Sequence, residues 1–400
     1  MACAFEKIYD LIISGAGIPG ASLALGAARQ GLCVALIDPR PRLMGTGDTR
    51  TTALLPESLN FLDTLDLLSG VLPQAQPLYE MILKDDRGHR RDQPRRLNFK
   101  GPENRPLAYN IANQVLSAKQ QTALEHAAPQ IDCYWGQQLT HARVDRGQAL
   151  VNLESGLALR AHLAIAADGR KSPLRKSLHI KWQGLSRHQI ALTARLRHRA
   201  PHQGVCTEFH RYGGPMTFVP FIGDGHDTAL VWSMTTALAE QVRALDDRAF
   251  SRRVQIASRG VLGELGAVSH RAAFPVRPGF ARQLALGPFA LIAEAAHTLP
   301  PLLAQGLNLS LSDVRILLAC LDQYGPGPQC AKAYAAKRWP DLMARLGIAE
   351  GLNKILTQAP MPLSLTYDLG RMGLQGLAPL RRAAVRVGQR GQQTVVGLGA

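Results

Sequence analysis

The chain has 400 residues, 46% of them hydrophobic, enough to bury one large core or two moderate ones. Its 46 Lys and Arg against 30 Asp and Glu leave a net charge of +16. That balance suits nucleic acid, an anionic membrane surface or acidic ligands, and the lack of any nucleic-acid-binding motif argues against the first. No apolar run reaches the roughly 20 residues of a bilayer span, and the first strand begins too early to leave room for a signal peptide. Six scattered cysteines without a C-x-x-C signal neither zinc nor a redox dithiol. Cys33 and Cys320 read as small core residues in apolar runs, and the expected location is the cytoplasm.

The first element is a short buried strand, Leu11-Ile12-Ile13, followed by Gly15, Gly17 and Gly20 at G-x-G-x-x-G spacing. A small-residue helix over Pro19 to Gln30 comes next and ends at Gly31, before a second strand, Val34 to Ile37, closed by Asp38. Gly15 permits the tight turn, Gly17 lets the backbone approach a pyrophosphate, and Gly20 lets helix and strand pack closely. The helix N-terminus offers N–H groups and a positive dipole end to phosphates. Asp38 stands 18 positions after Gly20, where an acid bonding a ribose hydroxyl is expected, which suits the unphosphorylated ribose of FAD or NAD.

A polar loop leads from Pro39 to Arg50, which is either a cofactor-reaching residue or a surface arginine. Ser58 to Leu68 has helical spacing, and Met81-Ile82-Leu83 opens a strand. Lys84 to Arg105 is polar and arginine-rich, either a solvated face or a docking patch for anionic lipid. Ala108 to Ala127 reads as a short strand and then a helix carrying Asn113. Leu139–Val144, Ala149–Leu153 and Leu157–Arg160 read as a meander turning at Gly147 and Gly156. Leu163 to Ala167 is a further buried strand running into Asp168-Gly169, the place where parallel sheets bind ligands.

From Ile190 to Met234 the pattern predicts antiparallel strands turning at Gly213-Gly214-Pro215 and Gly223-Asp224-Gly225, and Leu238 to Leu262 predicts one helix. Phe289 to Glu294 predicts a buried strand ending in an acid. His297 follows, then Pro300-Pro301, which stiffens the loop, then Gly306-Leu307-Asn308 and a helix over Leu309 to Leu321. Gly306 allows close backbone approach to a ligand. The remainder is mostly helical, with a basic stretch from Arg381 to Arg390. His297 is either a base or, as the preferred reading, a structural histidine bonded to backbone. His210, Arg211 and Tyr212 face solvent or a ligand, and Phe218, Phe221 and Trp232 pack a core.

The glycine turn, Asp168-Gly169 and the Glu294-to-Asn308 block together resemble the class A FAD-dependent aromatic hydroxylases of the para-hydroxybenzoate hydroxylase fold. Asp48 to Leu54, Ala166 to Gly169 with Ser172 and Arg175, and Gln305 to Leu309 are most similar to the ubiquinone-biosynthesis hydroxylases within that group. The tail pattern Leu352-Asn353, Arg371 to Leu374 and Pro379 to Arg382 points the same way. The resemblance implies an α/β protein. Its Rossmann-like FAD-binding domain would be discontinuous, over residues 1–75, 106–180 and 275–325. An interleaved antiparallel-sheet substrate domain would span 76–105 and 181–274, with a C-terminal helical region over 326–400.

By the same resemblance Gly15, Ala16, Gly17 and Gly20 hold the FAD pyrophosphate and Asp38 the adenosine ribose. Arg50 lies near the cofactor, Asn113 near the ribityl-phosphate region, and Asp168-Gly169 serves both FAD and a transient NADH or NADPH donor. Glu294 takes the place of the family's ribityl-bonding acid, although the pair here is Ala293-Glu294 rather than Gly-Asp. Gly306, Leu307 and Asn308 place backbone N–H groups at the pyrimidine edge of the isoalloxazine. The implied activity is hydroxylation of a polyprenylated phenol or benzoquinol by O2 through a C4a-hydroperoxyflavin, which calls for no fixed catalytic triad. Met216, Phe218 and Phe221 could then line a lipid-substrate channel, and one of His210, Arg211 and Tyr212 could bond the phenol. An anionic membrane surface or other ubiquinone-biosynthesis proteins are the implied partners, with no metal and no nucleic acid. The alternatives are a hydroxylase of another aromatic substrate and a non-catalytic flavoprotein-like subunit, for which Ala293-Glu294 is the sequence hint.

Overall fold

A computed structural model describes residues 7–41, 48, 50–85, 95–102, 105–127, 129–185, 189–210, 214–299 and 305–358. The described residues form two compact units: those within 1–75, 111–187 and 277–343 make the first, and those within 76–110, 188–276 and 344–358 the second.

The first unit is built on a largely parallel sheet. Its central strand, Ile8–Ser14, lies between Val34–Asp38 and Ala158–Ala166, and Ile131–Trp135 and Phe289–Leu291 extend the sheet on either side. Leu11, Ile12, Ile13, Val34, Leu36, Leu163 and Ile165 are fully buried. A strand covered on both faces must be apolar at consecutive positions, which is why these runs do not alternate. The segment expected as the end of a meander plus a separate strand is one strand, Ala158–Ala166. Its start pairs antiparallel with Gln148–Leu153, while most of its length pairs parallel with Ile8–Ser14. No turn residue separates Arg160 from Leu163, so the chain runs straight through.

Helix Ile18–Arg29 packs on this sheet and against helix Gln305–Tyr324. A Cβ at Gly26 would stand 2.4 Å from Leu318 Cδ1, so the absence of a side chain lets the two helices approach. Helix Pro328–Gln358 follows, and its Tyr334 and Arg338 are fully buried in this unit.

The second unit has a seven-stranded sheet in the order Leu265–Val276, Gln189–His198, Asp227–Thr235, Met216–Pro220, Val205–His210, Glu80–Asp85, Arg95–Lys100. One pair departs from the antiparallel expectation: Val205–His210 runs parallel to Glu80–Asp85, which the long connection between the two strands permits. The single helix expected over Leu238 to Leu262 is two, Thr236–Arg243 and Asp247–Ala257. Asp246 breaks it by accepting the Ala249 N–H as an N-cap. Phe209, Met216, Phe218, Leu230, Trp232 and Phe250 belong to the core of this unit. Phe218 and Trp232 thus pack the core as expected, and Met216 joins them.

His198 and His202 are buried in the same unit, bonded to the carbonyls of Ala200 and Phe221. Burial, and then the neighbouring histidines, hold both below the ordinary imidazole value of 6.5. The unfolded chain therefore takes up these protons first. Their contribution is complete above about pH 6.5 and is lost as pH falls below it. The urea midpoint of the second unit is expected to drop between about pH 8 and about pH 5, and to drop less in His198→Gln. An identical drop in that variant would assign the effect to other groups.

Candidate dinucleotide-binding site

The glycine turn sits where the first strand ends. Gly15 has φ +104°, and a Cβ there would lie 2.4 Å from the Ala167 carbonyl oxygen. A Cβ at Gly20 would lie 1.9 Å from the Gly15 carbonyl oxygen. Both positions are thus closed by the protein's own backbone. Gly17 differs. It has φ −65° and ψ 172°, and a Cβ there would meet only Pro19 Cδ, at 3.9 Å. Gly17 is the N-cap of helix Ile18–Arg29, and no side chain caps that helix, so its first N–H groups are presented to whatever lies beyond.

Asp38 ends the second strand and is buried. Its Oδ2 accepts from Ala16 N at 2.7 Å and from Arg40 Nη2 at 2.7 Å, and its Oδ1 from Arg40 N at 2.9 Å and Nε at 2.8 Å. Burial would raise this carboxyl, but the bonds from Arg40 and Ala16 outweigh it and hold the group below the usual range. A carboxylate has about four acceptor positions, and here all are engaged. A ribose hydroxyl would reach Asp38 by opening one of the Arg40 bonds. Arg40 carried no signal in the sequence beyond standing two residues after the acid.

Asp168 and Gly169 leave the neighbouring strand. Asp168 Oδ2 accepts from Ser14 Oγ and Leu174 N, both at 3.2 Å. Its Oδ1 is buried without a hydrogen bond, and burial pushes the carboxyl above the ordinary range. Gly169 has φ +80° with open space where a Cβ would be. A cleft of about 920 Å³ is lined by Ser14, Gly15, Gly17, Asp38, Asp168 and Gly169, with Arg40, Lys171 and Lys176 supplying positive charge. Two open glycine positions, an uncapped helix and three cations fit a dinucleotide diphosphate, and the unfilled Asp168 oxygen fits a hydroxyl or N–H donor beside it.

A second group gathers in the same unit. Arg50 forks onto Asp48, Nε to Oδ1 at 2.7 Å and Nη2 to Oδ2 at 2.8 Å. Asn113 donates to Asp48 Oδ2 at 3.1 Å and accepts from Thr52 Oγ1 at 2.8 Å. Asn308 accepts from Leu55 N and donates to the Ala53 carbonyl, both at 2.9 Å, which pins the start of helix Gln305–Tyr324. Gly306 has open space around its Cβ position, and Leu307 is half-buried. Glu294 is exposed.

Glu294 does not end a strand as expected. The strand stops at Leu291, and Glu294 belongs to a four-residue turn of helix, Ala293–Ala296. Ala293 enters it with φ +53°, the left-handed region that an alanine rarely occupies. His297 is buried, but its ring does not bond backbone: Nε2 lies 2.7 Å from Asp313 Oδ2. The Asp313 carboxylate also accepts from Ala293 N at 2.8 Å and Arg338 Nε at 2.5 Å. Burial opposes its charge, but His297 and Arg338 win and hold it down at about 2. Arg175 Nη1 adds a bond of 2.7 Å to the Ala295 carbonyl.

His210 is not solvent-facing. It is buried and lies 2.7 Å from Glu208 Oε1, and Thr217 Oγ1 donates to the other Glu208 oxygen. Cys33 is exposed rather than in the core, while Cys320 is buried. Arg211, Tyr212, Pro300-Pro301, Arg87, Arg90 and Arg91 of the basic run, and the tail from Arg371 to Arg390 lie outside the described residues, and the side chains of Leu352 and Asn353 are likewise outside them. Among the described residues there is no cluster that could hold a metal, and no helix long and apolar enough to cross a membrane.

Fold and cleft together define a dinucleotide-binding flavoprotein of the α/β class. Residues 9–340 match the FAD binding domain family, and the chain belongs to it; FAD is its cofactor. The chain is similar to ubiquinone hydroxylase UbiL of Rhodospirillum rubrum, 28% identical over 394 residues covering 95% of this chain and 89% of that protein. It is also similar to 3-demethoxyubiquinol 3-hydroxylase of Escherichia coli, 27% identical over 94% of this chain and 97% of that one. Among solved structures, p-nitrophenol 4-monooxygenase PnpA from Pseudomonas putida shares the fold, with a TM-score of 0.77 at 14% identity over 97% of this chain and 99% of that one. PqsL, a probable FAD-dependent monooxygenase from Pseudomonas aeruginosa, has a TM-score of 0.73 at 21% identity over 88% of this chain and 97% of that one.

Proposed function

We propose that this chain is an FAD-dependent monooxygenase that hydroxylates the ring of a polyprenylated phenol or benzoquinol in ubiquinone biosynthesis. Its overall reaction consumes one NAD(P)H, one proton and one O2, and yields the hydroxylated ring, NAD(P)+ and water. The carrying observation is the convergence of the glycine turn, Asp38 and Asp168-Gly169 on one charged cleft. The near-full-length similarity to two ubiquinone-pathway hydroxylases supports the choice of pathway.

When bound, FAD supplies the electron transfer and the oxygen activation. Gly17 and the uncapped start of helix Ile18–Arg29 give the pyrophosphate room and backbone N–H groups, Gly15, Ala16 and Gly20 set the tight turn that places them, and Lys171 and Lys176 balance its charge. Asp38 and Arg40 hold the adenosine ribose. Asp168 and Gly169 border the diphosphate and the visiting nicotinamide donor. Arg50, Asn113 and Glu294 hold the ribityl chain, and Gly306, Leu307 and Asn308 present backbone N–H groups where negative charge gathers on the reduced ring. The net charge of +16 favours an anionic membrane surface, where a prenylated substrate resides.

Substrate class is read from kcat/KM for a prenylated phenol carried in phosphatidylglycerol vesicles against a soluble aromatic acid. Preference for the prenylated phenol, reduced when the vesicles are phosphatidylcholine, is expected. Turnover of the soluble acid alone would replace this reading with a hydroxylase of another aromatic substrate.

A further inference from the structure

We propose that Asp313 is a positioning residue for the flavin: its carboxylate holds the Ala293–Ala296 turn, and with it Glu294, in the shape that meets the cofactor, and so sets FAD affinity. This rests on the proposal that Glu294 and Arg50 border the cofactor.

Ala293 sits at φ +53°, a conformation that costs a glycine nothing and an alanine a great deal. Something must hold it there. The holder is a single oxygen, Asp313 Oδ2, which accepts the Ala293 N–H at 2.8 Å and faces His297 Nε2 at 2.7 Å. His297 also closes the turn by donating its own N–H to the Ala293 carbonyl. One atom thus fastens both ends of the segment that carries Glu294. The other oxygen, Oδ1, is anchored by Arg338 Nε at 2.5 Å, and Arg338 is itself tied to Asp341. Asp313, His297 and Arg338 are all buried, so water cannot substitute for a lost bond. Tyr334 OH donates to the Leu291 carbonyl at 3.0 Å just before the turn, and Arg175 holds Ala295. Neither contact touches the strained residue, so the constraint on Ala293 falls to Asp313.

A merely structural Asp313 and a positioning one differ in what glycine at 293 would do. If Asp313 serves to enforce the left-handed turn, a residue that adopts it freely reduces the need for Asp313. FAD affinity of the apoprotein, followed by quenching of flavin fluorescence, is therefore measured for the wild type, Asp313→Asn, Ala293→Gly and the double variant, with thermal melting alongside. Asp313→Asn is expected to weaken FAD binding at least tenfold, and Ala293→Gly in that background to recover at least threefold of the loss. A folded Asp313→Asn with unchanged FAD affinity would overturn the proposal, and so would a loss that Ala293→Gly does not recover. Should Asp313→Asn not fold, Asp313→Glu is read in the same way, since it keeps the charge opposite Arg338 but moves the oxygens by one methylene. A wild-type chain that binds no FAD would overturn the cofactor reading together with this one. Tight wild-type binding with no response to Asp313 would overturn this one alone.

Discussion

Gly20→Ala is expected to cost about 3 kcal/mol of stability or more, whereas Gly17→Ala, in the same motif, is expected to leave the apoprotein as stable as the wild type. The difference lies in what a methyl group meets. At Gly20 it would overlap the Gly15 carbonyl oxygen at 1.9 Å, a backbone atom fixed by the strand it belongs to. Helix Ile18–Arg29 would have to lift from the sheet. At Gly17 the backbone angles suit alanine, and the methyl enters open space bordering the charged cleft. Its effect should appear in the ligand instead, as FAD binding weakened about 100-fold, or ~2.7 kcal/mol. Urea unfolding of the apoproteins and fluorescence titration with FAD separate the two outcomes. Unchanged FAD affinity in Gly17→Ala would remove the pyrophosphate from this turn.

Arg338→Ala is expected to destabilise the first unit by about 3–5 kcal/mol, the usual consequence of removing one member of a buried ion pair. Arg338 is fully buried and bridges Asp313 and Asp341. Without it, Asp313 keeps its bonds to Ala293 and His297 but loses the guanidinium that helps hold it ionised in an apolar surrounding. Asp313 sits at about 2, below its ordinary 3.8. Its contribution is therefore full above about pH 4 and is lost as pH falls toward about 2. In Arg338→Ala that loss should be smaller and should end at a higher pH, because the folded-state value moves up toward the unfolded one. Thermal melts across this range would show it; a melting curve that matches the wild type at every pH would contradict the network.

Much of the first unit is legible in the sequence because its signals are local. Gly15, Gly17 and Gly20 stand within six residues, and the strand, helix, strand and acid follow in order. Backbone closeness at Gly15 and Gly20 is a demand that glycine alone meets, so the residue type announces the geometry. The Asp313 network is illegible for the opposite reason. His297 and Arg338 lie 16 and 25 residues from Asp313, and each alone reads as an ordinary polar residue of a helix or loop. Its nearest sequence clue is Ala293, where the resemblance calls for glycine. Arg40 goes unannounced, because an arginine after an acid is commonplace. The parallel pairing of Val205–His210 with Glu80–Asp85 depends on long-range contact that no spacing encodes. Met216 and Phe218 alternate as a strand should, but alternation does not say which face carries the core.

Incubating the FAD-loaded chain with NAD(P)H, isotopically labelled O2 and a prenylated phenol bears most directly on its role as a hydroxylase. The expected result is a yellow protein that consumes one NAD(P)H and one O2 for each labelled oxygen atom found in the ring. A chain that takes up no FAD, or that oxidises NAD(P)H to give hydrogen peroxide while leaving every prenylated phenol unlabelled, would contradict it.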